Sequence, residues 1–195
     1  MIGACRWSIA GLAIGILGCF GLWELAQGGW IHMKALLAQE LLQRAWVQTI
    51  ERQAPVKPWP WADTAPIARL IVPRHQIDEI ILAGASGRTL AFGPAYHEDS
   101  ARPGTTGVSI VTGHRDTHFR FLSRLEPGDR IEVQTAHGAL MSYRVLGSSV
   151  VDGRLPLHIS ENHKNLLLLI TCYPFDALMP GGPLRYVVMA EMTDR

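Results

Sequence analysis

Beyond residue 20 this 195-residue chain has one cysteine, Cys172. It ends an apolar run, NLLLLIT (165–171), and Tyr173-Pro174 follows it. Proline has no amide hydrogen with which to continue a strand ladder, so the strand stops there and exposes its last side chains. A free cysteine in such a place is most often a packing residue. Chemically it is also a nucleophile, once a base shares or takes its proton, and imidazole is the usual base. Seven histidines lie beyond His32: His75, His97, His114, His118, His137, His158 and His163. His114 differs in setting, because VSIVTGHRDTHF places it just after an apolar run, in a turn with Gly113, beside Arg115 and Asp116. Arg185 opens the last apolar run, LRYVVMAEM (184–192), across the Pro180-Gly181-Gly182-Pro183 loop from Cys172. If the two runs pair, its guanidinium reaches the thiol and offers planar donors to a developing oxyanion. The plainer reading is a solvent-facing arginine at a strand end. Asp116 and Asp176 are weaker candidates for orienting roles. His114 and His118 are four apart and on a helix could share a face as zinc ligands. The segment lacks the glutamate of an HExxH motif, and Gly113 favours a turn, so no metal or cofactor is expected.

These residues need a frame that gathers strand ends. After Pro66 short β-rich runs recur: IARLIV (67–72), VSIVT (108–112), RIEVQT (130–135), ALMSYRVLGSSVV (139–151), NLLLLIT and LRYVVMAEM. Gly84-Ala85-Ser86-Gly87, Pro127-Gly128-Asp129, His137-Gly138, Asp152-Gly153 and the Pro-Gly-Gly-Pro loop punctuate them as turns. Helical periodicity is weak, limited to pieces near 76–82 and 118–125. The expectation is an all-β domain closed into a barrel, which removes exposed edges. The fully apolar LLLLI predicts a central strand buried on both faces.

The first 57 residues have another character, and all six tryptophans fall within the first 61 residues. From Trp7 to Trp23 no charge interrupts WSIAGLAIGILGCFGLW, a run of roughly 25 Å as a helix, bracketed by aromatic residues. This predicts a transmembrane anchor over 8–27 after a short cytoplasmic segment, 1–7. Cleavage as a signal peptide is the rival, but Glu24-Leu25-Ala26 spoils the small-residue pattern that a cleavage site needs. Gly11 and Gly15 form a GxxxG pair, more often two small residues than a dimer seam. Leu42, Trp46 and Ile50 recur at four-residue steps, so the linker, 28–57, is read as an amphipathic helix followed by a Pro-rich extended stretch. The catalytic domain then spans 58–195. With Lys and Arg at 18 against 17 Asp and Glu, the chain is near neutral, which argues against nucleic acid as partner. A lone thiol outside the cytoplasm is unusual where oxidising conditions favour paired cysteines, and nucleophilic catalysis gives it a reason.

His114 in TGHRDTHF, Thr171-Cys172 in LLLLITCYPFDA and Arg185 in GGPLRYVVMAE follow in the order His, Cys, Arg. Together with an anchored all-β domain, this resembles the sortases over residues 58–192. FRFLSRLEPGDRIEV (119–133) is similar to the segment after the sortase histidine. WPWADTAPIARL and the CYPFDAL…PGGPLRYVV ending resemble the Gram-negative class GN sortases of marine proteobacteria. One position departs from the family's Thr-Leu-x-Thr-Cys signature, where Leu168 stands in place of the first threonine. The resemblance implies a transpeptidase with Cys172 as nucleophile, His114 as acid and base, Arg185 at the oxyanion and Thr171 among the substrate-binding residues. It implies a secreted protein substrate with a C-terminal LPxTG-like sorting signal, an amine acceptor, and an inner-membrane location with the domain outside the cytoplasm. A hydrolytic cysteine peptidase and a non-catalytic anchored binding barrel are the alternatives.

Overall fold

The computed structural model describes residues 3–156, 165–177, 179 and 181–193. His158, His163 and Pro180 lie outside them, as do the side chains of Cys5, Arg6 and Trp7. A single helix, α1 (Gly3–Arg52), joins the two helical segments expected on either side of Gly28-Gly29. It is long and apolar enough to cross a membrane. Gln53 ends it in the left-handed region (φ 54°), and Pro55 bars any continuation. The chain divides into two compact units, Met1–Glu40 and Leu41–Arg195.

Within the second unit eight strands follow: β1 (Pro66–Val72), β2 (Ile77–Ala83), β3 (Ala95–Tyr96), β4 (Gly107–Thr112), β5 (Arg130–Thr135), β6 (Leu140–Asp152), β7 (Asn165–Cys172) and β8 (Leu184–Met192). They close into a barrel in the order β1-β2-β3-β4-β7-β8-β6-β5, as expected. Alternation builds the interior: Ala68, Leu70 and Val72 of β1 point inward against Ile131 and Val133 of β5 and Leu167 and Leu169 of β7. Leu166 to Leu169 are all fully buried, so β7 is covered on both faces as its apolar run predicts. Its neighbours are β4, in parallel, and β8, antiparallel.

Three departures have physical causes. Residues 76–82, expected as a helical piece, fall largely in strand β2 (Ile77–Ala83); Asp78-Glu79 followed by Ile80-Ile81-Leu82 mimics a helical stripe, yet all three apolar residues are buried in the sheet. The expected helix near 118–125 is a 3-10 turn, Arg120–Arg124, whose Phe121 and Leu122 plug the core. The end of α1 is also more than a linker. Leu42 and Trp46 are buried with Ile80, Leu82 and Ala95, and Ile50 packs beside them. The Pro-rich stretch wraps the barrel through Trp59 on Phe92 (5.1 Å between ring centres) and a Thr64 hydroxyl that donates to the Ala83 carbonyl at 2.7 Å.

Candidate active site

Parallel pairing of β4 with β7 puts their C-terminal ends side by side. Val111 is level with Leu169 and Thr112 with Ile170, where the pairing ends; His114 follows Thr112 by two residues, as Cys172 follows Ile170. Two bonds carry the pairing past the strands. The Gly113 amide donates to the Ile170 carbonyl at 3.2 Å, and the Thr171 hydroxyl to the Gly113 carbonyl at 2.7 Å. Gly113 is required there, because a Cβ would lie 2.7 Å from the ring of buried Phe119.

On the other side of β7, Cys172 is directly opposite Arg185 of β8, so the expected neighbour relation of the two runs holds. Residues directly opposite on antiparallel strands leave the sheet on one face, with Cβ atoms about 5 Å apart. Thr171, Leu169 and Leu167 belong to the inward row, which puts Cys172 and Arg185 on the outward one. Cys172 is a free thiol of intermediate exposure. Arg185 Nη1 donates to the carbonyls of Gly182 (2.7 Å) and Leu184 (2.9 Å), and its stem crosses Gly153 so closely that a Cβ there would meet Arg185 Cγ at 2.9 Å.

Thr171, expected at the substrate, is only 2% exposed and its hydroxyl is already engaged with Gly113, so its contact is with the histidine loop. His114 is exposed on that loop. His118 does not turn toward it: its Nδ1 lies 3.0 Å from Glu79 Oε2 on β2. His75 pairs with Asp129 and His137 with Gln53. Among the described residues no group of three His, Cys, Asp or Glu is placed to hold a metal ion.

Two features of the site are absent from the sequence reading. Tyr173, Phe175 and Tyr186 form a cluster beside Cys172, with Tyr173 stacked on Tyr186 at 6.1 Å and Phe175 edge-on to Tyr186 at 5.1 Å. Their crowding around the Tyr-Pro step after the cysteine is the one sequence signal that could have suggested it. The second is Arg115, whose guanidinium is buried (8% exposed). It forms a two-pronged pair with Asp116, Nε to Oδ1 at 2.8 Å and Nη2 to Oδ2 at 3.1 Å. It also donates to the carbonyls of Pro174 (2.5 Å) and Ala177 (2.9 Å) on the loop after Cys172. The Asp116 carboxyl is held below the usual carboxylate range, first by its bonds from Arg115 and further by the charges of Arg115 and His114. Arg115, Asp116, Arg120, Ser123, Phe175 and Asp176 line a cleft of about 460 Å³. Asp176 is exposed there, on the cysteine side.

Known proteins share this arrangement of strands. Sortase A from Corynebacterium diphtheriae superposes with a TM-score of 0.60 at 26% identity, over 69% of this chain and 64% of that one. Sortase C-1 from Actinomyces oris gives 0.57 at 27% identity, over 67% and 76%. Sortase D of Bacillus subtilis (strain 168) is 32% identical over 123 residues, 63% of this chain and 61% of that protein's length. The sortase domain model matches residues 70–193, from β1 through the end of β8. A match over that much of the chain, more than half of it, assigns the protein to a family: it belongs to the sortases.

Proposed function

We propose that the protein is a membrane-anchored cysteine transpeptidase that cleaves an LPxTG-like sorting signal near the C-terminus of a secreted protein. The observation that carries this reading is the register that sets Cys172 opposite Arg185 on one side of β7, while on its other side β4 ends two residues before His114. In the reaction His114 takes the Cys172 thiol proton, Sγ attacks the threonine carbonyl carbon, and the carbonyl electrons move to its oxygen. Arg185 presents N–H donors to that oxyanion. The Thr–Gly C–N bond then breaks, His114 delivers a proton to the departing glycine amine, and a thioester remains on Cys172. An acceptor amine attacks the thioester, His114 takes its proton, and the C–S bond breaks to release an amide and the thiol. Water in place of the amine would give a carboxylic acid, the hydrolytic outcome.

The apolar helix supports anchoring by residues 8–27; we read the amino terminus as cytoplasmic, residues 28–57 as a linker whose Leu42 and Trp46 pack on the barrel, and the barrel from 58 onward as catalytic domain. The resemblance of WPWADTAPIARL and the CYPFDAL ending to class GN sortases supports a Gram-negative inner membrane with the barrel on its periplasmic side. The test is incubation with an LPxTG-type peptide, with and without a glycine-headed amine, read by mass spectrometry. The expected products are an acyl adduct on Cys172 and a ligated peptide that needs the amine; in Cys172→Ala both disappear while the fold is kept. An adduct in the alanine variant would sink the assignment. Hydrolysis regardless of amine would mark a peptidase, and a parent protein with neither adduct nor thiol labelling would mark a binding module.

A further inference from the structure

We propose that Arg115 is a positioning residue of this site, the bolt that fixes the separation of His114 and Cys172; the proposal rests on the transpeptidase reading above. A guanidinium at 8% exposure is a costly group to bury, and it persists only where its donors are satisfied. Here they are satisfied across a gap of 59 and 62 residues, by Pro174 and Ala177. Gly113 and Arg115 bracket His114 in the chain. Thr171 and Pro174 bracket Cys172. Thr171 bonds to Gly113 just before the pair in the chain and Arg115 bonds to Pro174 just after it, so each catalytic residue lies between two tie points to the other's loop. Asp116 aims the fork: it takes Nε and one Nη2 bond, which turns Nη1 to Pro174 and the rest of Nη2 to Ala177. The Arg115 guanidinium is held above its usual pKa first by its bonds to Asp116, with smaller contributions from Cys172 and Asp176. A lysine at this position has the charge and none of the planar geometry.

The experiment uses the full chain in detergent, with Arg115→Lys and the exposed partner change Asp116→Asn. Displacing an aligned group by about an ångström costs on the order of 10²-fold, so kcat on an LPxTG-type peptide is expected to fall by about that factor in Arg115→Lys. KM and the rate of Cys172 alkylation by iodoacetamide should stay near the parent values, and Asp116→Asn should show the same split with a smaller loss. Parent-like kcat in Arg115→Lys overturns the proposal. So does a loss in which kcat, alkylation and the unfolding temperature fall together in both variants, since Arg115 would then merely support the fold. A parent that is alkylated at Cys172 yet cuts no peptide defeats the transpeptidase reading instead. Amide exchange at Tyr173 and Ala177 then judges the bolt: faster exchange in both variants supports it, and unchanged exchange removes it.

Discussion

The arginines on either side of Cys172 differ in what holds them. Arg115 is buried and commits four of its five N–H donors to Asp116, Pro174 and Ala177, whereas Arg185 lends Nη1 to two carbonyls of its own loop and is half-exposed. Arg185 is therefore the one that can turn to a substrate, and its planar fork is the property to test. Removal of one oxyanion donor costs roughly 10²–10³-fold in kcat in other acyl-transfer enzymes. Arg185→Lys is expected to fall by that factor while Cys172 alkylation changes little, measured as kcat on a sorting-signal peptide beside the alkylation rate; an active lysine variant would show that charge alone suffices. The histidines divide in the same way. General acid–base catalysis is worth about 10²–10⁴-fold, and His114→Ala should lose that much turnover. His118, turned away onto Glu79, should tolerate alanine with most of its turnover intact. Equal losses in the two variants, with activity that responds to added zinc, would favour a metal role instead.

Strand pairings and turns decide where these residues end up, and some were easier to foresee than others. The strands 130–135 and 184–192 match their sequence runs to the residue, because turn residues, Pro127-Gly128-Asp129 and Pro180-Gly181-Gly182-Pro183, mark where each begins. The Cys172–Arg185 pairing was also legible, since one loop separates the two runs. β3 was not, being two residues long with no room for a period, and β2 was hidden by a charge pair that imitates helical spacing. Arg115 was illegible for another reason: its carbonyl partners lie about sixty residues away and have no side-chain identity to read. The turn before β5 gives a prediction at this scale. Burial pushes the Asp129 carboxyl up, but the Glu126 amide, Arg74 and His75 outweigh it and hold its pKa at about 2. A carboxyl depressed in the folded state adds stability above its unfolded pKa of about 4, and that contribution is lost as pH falls from there toward 2. Unfolding midpoints of the parent should exceed those of Asp129→Asn at pH 5, and the gap should narrow on acidification through this window. A gap that stays constant from pH 5 to 2 would show that the turn does not depend on the charge.

At the scale of the molecule, the compact unit starts at Leu41 rather than at the end of the Pro-rich stretch. A chain beginning at residue 41 is expected to fold and keep its thiol reactive without the anchor. One beginning at residue 58 loses Leu42 and Trp46 from their cluster, and removing a buried large side chain typically costs about 3–5 kcal/mol. Thermal unfolding of the two truncations checks this, and equal midpoints would reduce the helix end to a tether. The parallel neighbours β4 and β7 have a further consequence, in time rather than in space. Parallel strands require a long crossover, so the two halves of the site are made far apart and join only after β5 and β6 have been laid down. Until β8 joins, β7 has its partner β4 on one side and nothing on the other. Until then four consecutive leucines sit on an open sheet edge, which invites pairing with another chain. Arrival of β8 covers that edge and sets Arg185 opposite Cys172 in the same movement.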